Sequence, residues 1–228
     1  MVADSGRVIL KTGVGMADPE SQAADTPATR FLIGSVTKTF TAAAIMQLVE
    51  RGAIRLEDPV SKYLPEYPRD KGDRIKIQHL LSHSAGIPEI APDLGRSRDL
   101  AQLVKPLDLL SLFKGKDLDF EPGENARYSN SGYVLLGLII EKVAGQSYVE
   151  YIRDHILSPA GMENSGYRED YQATRDFARG ASEGRDGHLV LAPYIAVLSN
   201  VSSAPAGEIG RSLAAIQFGQ DYQLPESR

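Results

Sequence analysis

Cysteine is absent from all 228 residues. That excludes thiol catalysis, disulfide staples and cysteine-ligated zinc. It carries no information on compartment, because secreted and cytosolic proteins alike can lack cysteine. Long apolar stretches are missing as well. The longest, Val134 to Ile140, falls far below the ~18–20 residues needed to cross a bilayer, so no membrane span is predicted. Nor is there an excess of basic charge. Lys and Arg number 25 against 30 Asp and Glu, the net charge is −5 and the pI is near 5.4. This leaves no electrostatic footprint for nucleic acid or an anionic membrane surface. The opening Met1-Val2-Ala3-Asp4-Ser5-Gly6 carries no signal-peptide pattern and runs almost at once into a strand-like segment. A portion upstream is therefore expected.

What is present is an ordinary globular composition, 42% hydrophobic and 24% charged. The length suits one domain, or one with a sizeable insertion, and suffices for a buried core. No internal repeat or low-complexity block interrupts it. One stretch stands out for its chemistry: Phe31-Leu32-Ile33-Gly34-Ser35-Val36-Thr37-Lys38-Thr39-Phe40. An apolar lead-in ends at Gly34, and a helical pattern begins at Ser35. Positions i and i+3 share a helix face, so Lys38 is expected beside the Ser35 hydroxyl. A serine hydroxyl is a poor nucleophile until a neighbouring base takes its proton. A helix N-terminus also favours a developing oxyanion. Ser35 and Lys38 are the first catalytic candidates, although Ser-x-x-Lys alone recurs by chance in many chains.

The coarse reading places a strand or hairpin entry at Val8-Ile9-Leu10 after the turn residues Asp4-Ser5-Gly6. A loop follows over residues 16–30, then a helix from about Val36 to Arg51, capped by Gly52 and buried on most sides. Asp58 and Pro59 open a short helix. Further helical segments are expected near 78–83, over 97–114 with a break at Pro106, over 134–144 and over 148–156. Residues 161–187 read as polar and irregular, 196–201 as a strand, and 208–218 as an amphipathic helix.

A second polar cluster, Tyr128-Ser129-Asn130, offers a phenol that can shuttle protons and an amide that can orient a carbonyl. Taken alone, such a cluster is more often a capping tyrosine and a turn. His79 and His83 stand four apart, but Leu80 occupies the place where a metalloprotease helix needs Glu, and no third ligand is evident. They read as structural, and no metal or cofactor is expected. Gly180-Ala181-Ser182-Glu183-Gly184 matches the nucleophile-elbow pattern, yet its flanks are polar, and it reads as a loop. Tyr63, Tyr67, Tyr148 and Tyr151 read as partly buried packing residues. The charge runs at 69–74 and 163–179 read as solvated surface.

Four ordered stretches together resemble the serine β-lactamase and penicillin-binding-protein-like hydrolases, especially the class C β-lactamase and esterase branch. They are Thr29 to Lys38; Leu80-Leu81-Ser82-His83-Ser84-Ala85-Gly86-Ile87-Pro88; Glu121-Pro122-Gly123 with Tyr128 to Tyr133; and Leu157-Ser158-Pro159-Ala160-Gly161-Met162. The likeness is dense from about residue 6 to 187. It implies Ser35 as the acylated nucleophile, Lys38 as its base, Tyr128 as proton shuttle and Asn130 as a contact to the substrate's acyl side. The stretch containing His83 is architectural in that family. The family also carries a third motif, Lys-Thr-Gly or His-x-Gly, on a later strand that supplies an oxyanion-hole N–H. None follows Asn130 here, and Lys11-Thr12-Gly13 precedes Ser35 and is read as coincidence. Residues 196–225 resemble the family's last strand, helix and terminus, so an internal block near Tyr194–Ala196 is expected to be missing.

The predicted fold is therefore α+β. A mainly helical region, 53–187, packs on a reduced antiparallel sheet formed by the chain ends, 1–52 with 188–228. Exposed edges of so small a sheet are expected to pair in a homo-oligomer. The predicted activity is a serine hydrolase acting through an acyl-enzyme on a small ester or β-lactam or amide substrate. The alternative is a shortened, catalytically impaired relative that binds a ligand or partner, because loss of one oxyanion donor alone costs ~10²–10³ in rate.

Overall fold

The computed structural model describes residues 2–5, 7–31, 33–90, 106–162, 165, 166, 178, 181–183 and 189–191. Its strands form three separate antiparallel pairs: β1 (Val2–Asp4) with β2 (Arg7–Leu10), β3 (Met16–Asp18) with β4 (Ala23–Ala24), and β5 (Ala181–Glu183) with β6 (Leu189–Leu191). β1 and β2 thus pair antiparallel from Asp4 and Arg7 onward, in line with the expected hairpin. Two expectations change. The 16–30 loop contains the short β3–β4 ladder, and Ala181-Ser182-Glu183 lies in a strand rather than a loop. Three residues are too few to show a period of two, so backbone pairing alone reveals these strands. Ser182 sits within a hairpin strand, which is not the strand-to-helix corner that an elbow needs. The expected elements at 97–105, 196–201 and 208–218 lie outside the described residues.

The helices carry the core. They are α1 (Thr37–Glu50), α2 (Arg69–Gly72), α3 (Ile77–Leu81), α4 (Pro106–Leu110), α5 (Asn130–Ala144) and α6 (Tyr148–Ile152). A 3₁₀ turn, Gly34–Val36, leads into α1, and a π turn, Arg153–Leu157, extends α6. Pro106 begins α4, where its missing N–H costs nothing. Ser129 caps α5 by accepting from the Gly132 N–H at 3.4 Å, so this helix starts at Asn130, four residues earlier than its apolar pattern indicates. The expected helix opening at Asp58 is instead a 3₁₀ turn, Val60–Lys62, and the Asp58 carboxylate accepts from the Arg55 N–H, Lys62 and Tyr63.

α1 buries one stripe, Thr37, Lys38, Thr41, Ala44, Ile45 and Leu48, and leaves Thr39, Ala43 and Met46 exposed. It is half-covered rather than buried on most sides. α5 runs beside it with an almost continuously buried span from Asn130 to Ile140. The tyrosines are more deeply placed than expected. Tyr67, Tyr148 and Tyr151 are fully buried, and two of their hydroxyls tie α6 to α1. Tyr148 Oη lies 2.7 Å from Thr41 Oγ1, and Tyr151 Oη donates to Gln47 Oε1 at 3.3 Å. Lys71, expected in a solvated run, is also buried. Its ammonium donates to the carbonyls of Lys114 and Lys116 at 2.8 and 2.7 Å.

One further element positions the site. Residues 83–89 form a loop against which both 119–127 and the start of α5 are laid. Asp119 and Gly123 donate their N–H groups to the carbonyls of Gly86 and Ser84, both at 2.8 Å, and Arg127 donates to that of His83 at 2.9 Å. Gly86 has φ +74°, and a Cβ there would lie 2.1 Å from the Phe120 carbonyl oxygen. Only glycine fits this contact.

Candidate active site

Gly34, at φ +53°, turns the chain into the 3₁₀ turn that presents Ser35 at the surface ahead of α1. Lys38, one turn further on, is 6% exposed and directs its ammonium inward. Its Nζ donates to Ser35 Oγ at 3.4 Å and to Asn130 Oδ1 at 2.6 Å. Tyr128 Oη completes the group, 2.5 Å from Ser35 Oγ and 3.5 Å from Asn130 Oδ1. The four residues singled out from sequence are therefore contiguous, although 92 residues separate Lys38 from Asn130.

Burial pulls the Lys38 ammonium down to about 8, with the nearby Glu89 carboxylate acting the other way. At that value about one lysine in ten is neutral at pH 7. The charged form is cushioned by the rings of Tyr128 and Tyr133, whose centroids lie 4.8 and 5.4 Å from Nζ. The site thus holds a lysine able to take up and release a proton near neutral pH, in contact with a serine hydroxyl and a phenol that also contact each other. Such an arrangement can move the serine proton along either of two short routes.

Two residues not expected to matter here hold the arrangement together. His83 adopts φ +57°. Its ring packs against those of Tyr128 and Tyr133, at centroid distances of 4.7 and 5.0 Å. Its Nδ1 accepts the Ser129 N–H at 3.2 Å, which requires that nitrogen to be bare, and burial together with the Lys38 charge favours the neutral ring. His79 makes a different contact, accepting the Lys76 N–H through its own Nδ1 at 3.2 Å. Glu89 receives both the backbone N–H of Asn130 at 2.6 Å and its Nδ2 at 3.1 Å. The available signal for Glu89 was a carboxylate directly after the Gly86-Ile87-Pro88 turn. Gly13 packs against the Asp25–Thr26 backbone, where a Cβ would lie 2.3 Å from the Asp25 carbonyl oxygen. This gives Gly13 a local structural explanation.

A model of the beta-lactamase family matches residues 1–212. The chain belongs to the beta-lactamase family. It is 33% identical over 204 residues to PbpX of Bacillus subtilis (strain 168), a match covering 90% of this chain and 49% of PbpX. Among solved structures it is similar to the octameric penicillin-binding protein homologue from Pyrococcus abyssi. The TM-score there is 0.76 at 35% identity, over 93% of this chain and 48% of that one. It is also similar to EstCE1, a hydrolase with promiscuous acyltransferase activity. That TM-score is 0.68 at 26% identity, over 89% of this chain and 60% of EstCE1. The chain thus spans about half the length of these relatives. Its fold is β-lactamase-like. Among the described residues no helix is long and apolar enough to cross a membrane.

Proposed function

We propose that this chain is a serine hydrolase that works through an acyl-enzyme on an ester, or on a β-lactam or other amide. The observation that carries the reading is the double contact of Ser35 Oγ, with Tyr128 Oη at 2.5 Å and with the Lys38 ammonium at 3.4 Å. In this scheme neutral Lys38 takes the Ser35 proton, directly or by way of Tyr128, as Oγ bonds to the substrate carbonyl carbon. The tetrahedral adduct collapses by breaking the C–O or C–N bond, and Tyr128 returns a proton to the departing oxygen or nitrogen. Water then cleaves the acyl-serine with the same groups in reverse order. The Ser35 N–H, at the positive end of the turn leading into α1, is the first oxyanion donor. Asn130 offers its second amide hydrogen to the acyl side.

The same reading retains the two-part organisation, 1–52 with 188–228 against 53–187, and self-association, whereas among the described residues the strands of the two chain ends form separate pairs rather than one sheet. The octameric Pyrococcus abyssi homologue is consistent with self-association. A second reading, a binding protein with an impaired site, is favoured by one observation. Neither Lys-Thr-Gly nor His-x-Gly follows Asn130. Intact-mass analysis after incubation with a fluorophosphonate or a penicillin separates the two. The hydrolase reading expects one adduct, mapped to Ser35 and lost in Ser35→Ala. A folded protein that gains no mass supports the binding reading. A chromogenic ester tested beside a chromogenic cephalosporin then ranks the substrate classes.

A further inference from the structure

Five polar groups at the start of α5 are engaged by the 83–89 loop. The Ser129 N–H goes to His83 Nδ1, Ser129 Oγ to the Ile87 carbonyl at 3.2 Å, and Ser131 Oγ to the Pro88 carbonyl at 2.5 Å. Glu89 closes the series, receiving the Asn130 N–H and Nδ2 together. The Asn130 side chain is consequently held at both ends, between a carboxylate that can only accept and an ammonium that can only donate. Turning the amide over would set its NH₂ against Lys38 and its oxygen against Glu89, losing both bonds and creating two repulsions. Asn130 is 4% exposed, so water cannot compensate.

From this geometry we infer that Glu89 is a positioning residue for the candidate active site, fixing the Asn130 amide so that Oδ1 faces Lys38 and one Nδ2 hydrogen is left for a substrate carbonyl. The inference rests on the hydrolase reading for its effect on rate, but not for its effect on Lys38. Glu89 is also the anionic group acting on the Lys38 ammonium. The other groups facing Lys38 are the Tyr128 and Tyr133 rings and the His83 ring, whose own titration is depressed by burial and by the Lys38 charge. Removing the carboxylate therefore lowers the pH at which Lys38 loses its proton and frees the Asn130 amide to rotate.

The test uses Glu89→Gln and Glu89→Asp in the full chain. Lysine is ¹³Cε-labelled and the Lys38 resonance is assigned by its loss in Lys38→Arg. The midpoint of Lys38 is expected near pH 8 in the parent, to fall by at least about 0.5 unit in Glu89→Gln, and to stay close to the parent in Glu89→Asp, which keeps the charge. Fluorophosphonate labelling of Ser35 is expected to slow ~10–100-fold in Glu89→Gln, the loss of a charged hydrogen bond, with its acid limb moving down in step. A folded Glu89→Gln whose Lys38 midpoint matches the parent's would overturn the assignment. So would labelling within twofold of the parent. If the midpoint moves but even the parent protein takes no label, the placement of Glu89 stands and the acyl-enzyme reading fails.

Discussion

The two halves of the candidate site differ in how they are held. Lys38 and Asn130 are 6% and 4% exposed, packed between α1 and α5 and fastened by the 83–89 loop. Ser35 is exposed and Tyr128 is 50% exposed, and Phe31 and Val36 beside them lie open as well. On the proposed function Lys38 is the base, and a lysine must be partly desolvated to titrate near neutrality. On the same reading the nucleophile must be reachable, and Ser35 is exposed at the entry to α1. The same contrast separates the helices, with their buried apolar core, from the β1–β2 hairpin, where Val2, Val8, Ile9 and Leu10 are exposed. Substitutions in the buried half should therefore have large consequences and those in the exposed apolar segments small ones.

The largest effect is expected at Lys38. Lys38→Met should slow Ser35 labelling by ~10²–10⁴, the range for removing a general base, and flatten the rise in rate through pH 8. It should also alter the pH dependence of stability. Lys38 titrates at about 8 when folded and at 10.5 otherwise. Between those values the unfolded chain binds more protons, so parent stability should rise with pH across that window. Urea unfolding at pH 7.5 and 9.5 should show that rise in the parent and lose the lysine contribution in Lys38→Met. Next comes Gly86→Ala, which drives a Cβ into the Phe120 carbonyl. A destabilisation of about 2–4 kcal/mol is expected by urea titration, with slower labelling because the loop no longer supports the Tyr128 turn. Tyr148→Phe, which removes only the hydroxyl bonded to Thr41, should cost about 1 kcal/mol. Smallest is Ile9→Thr on the exposed hairpin, expected within about 0.5 kcal/mol by the same titration. A large loss there would mean that the hairpin is covered in solution, and would erase the contrast between the halves.

How much of this was legible in the sequence follows from range. Ser35 and Lys38 could be paired because a helix turn fixes their spacing, and Tyr128 and Asn130 joined them because ordered motifs matched a family. Glu89 was not legible. It meets Asn130 across 41 residues, and nothing periodic marks a carboxylate after a turn. His83 was recognised as structural, but the packing of its ring against two tyrosines depends on tertiary placement. Lys71 was misread because a run of charges reads as surface until carbonyls from the turn after α4 take its ammonium. The 181–183 strand was missed for want of length. Helix existence was clear from periodicity, while the start of α5 depended on a serine cap lying outside the apolar pattern.

The central claim is that Ser35 is a nucleophile whose activation is governed by buried Lys38. The most direct measurement is the rate at which a fluorophosphonate labels the folded protein between pH 6 and 10, read by intact mass and mapped by peptide sequencing. The account predicts a single adduct on Ser35, formed at a rate that climbs through about pH 8 and levels above it. No adduct at any pH, or an adduct whose rate ignores pH across that range, would contradict it.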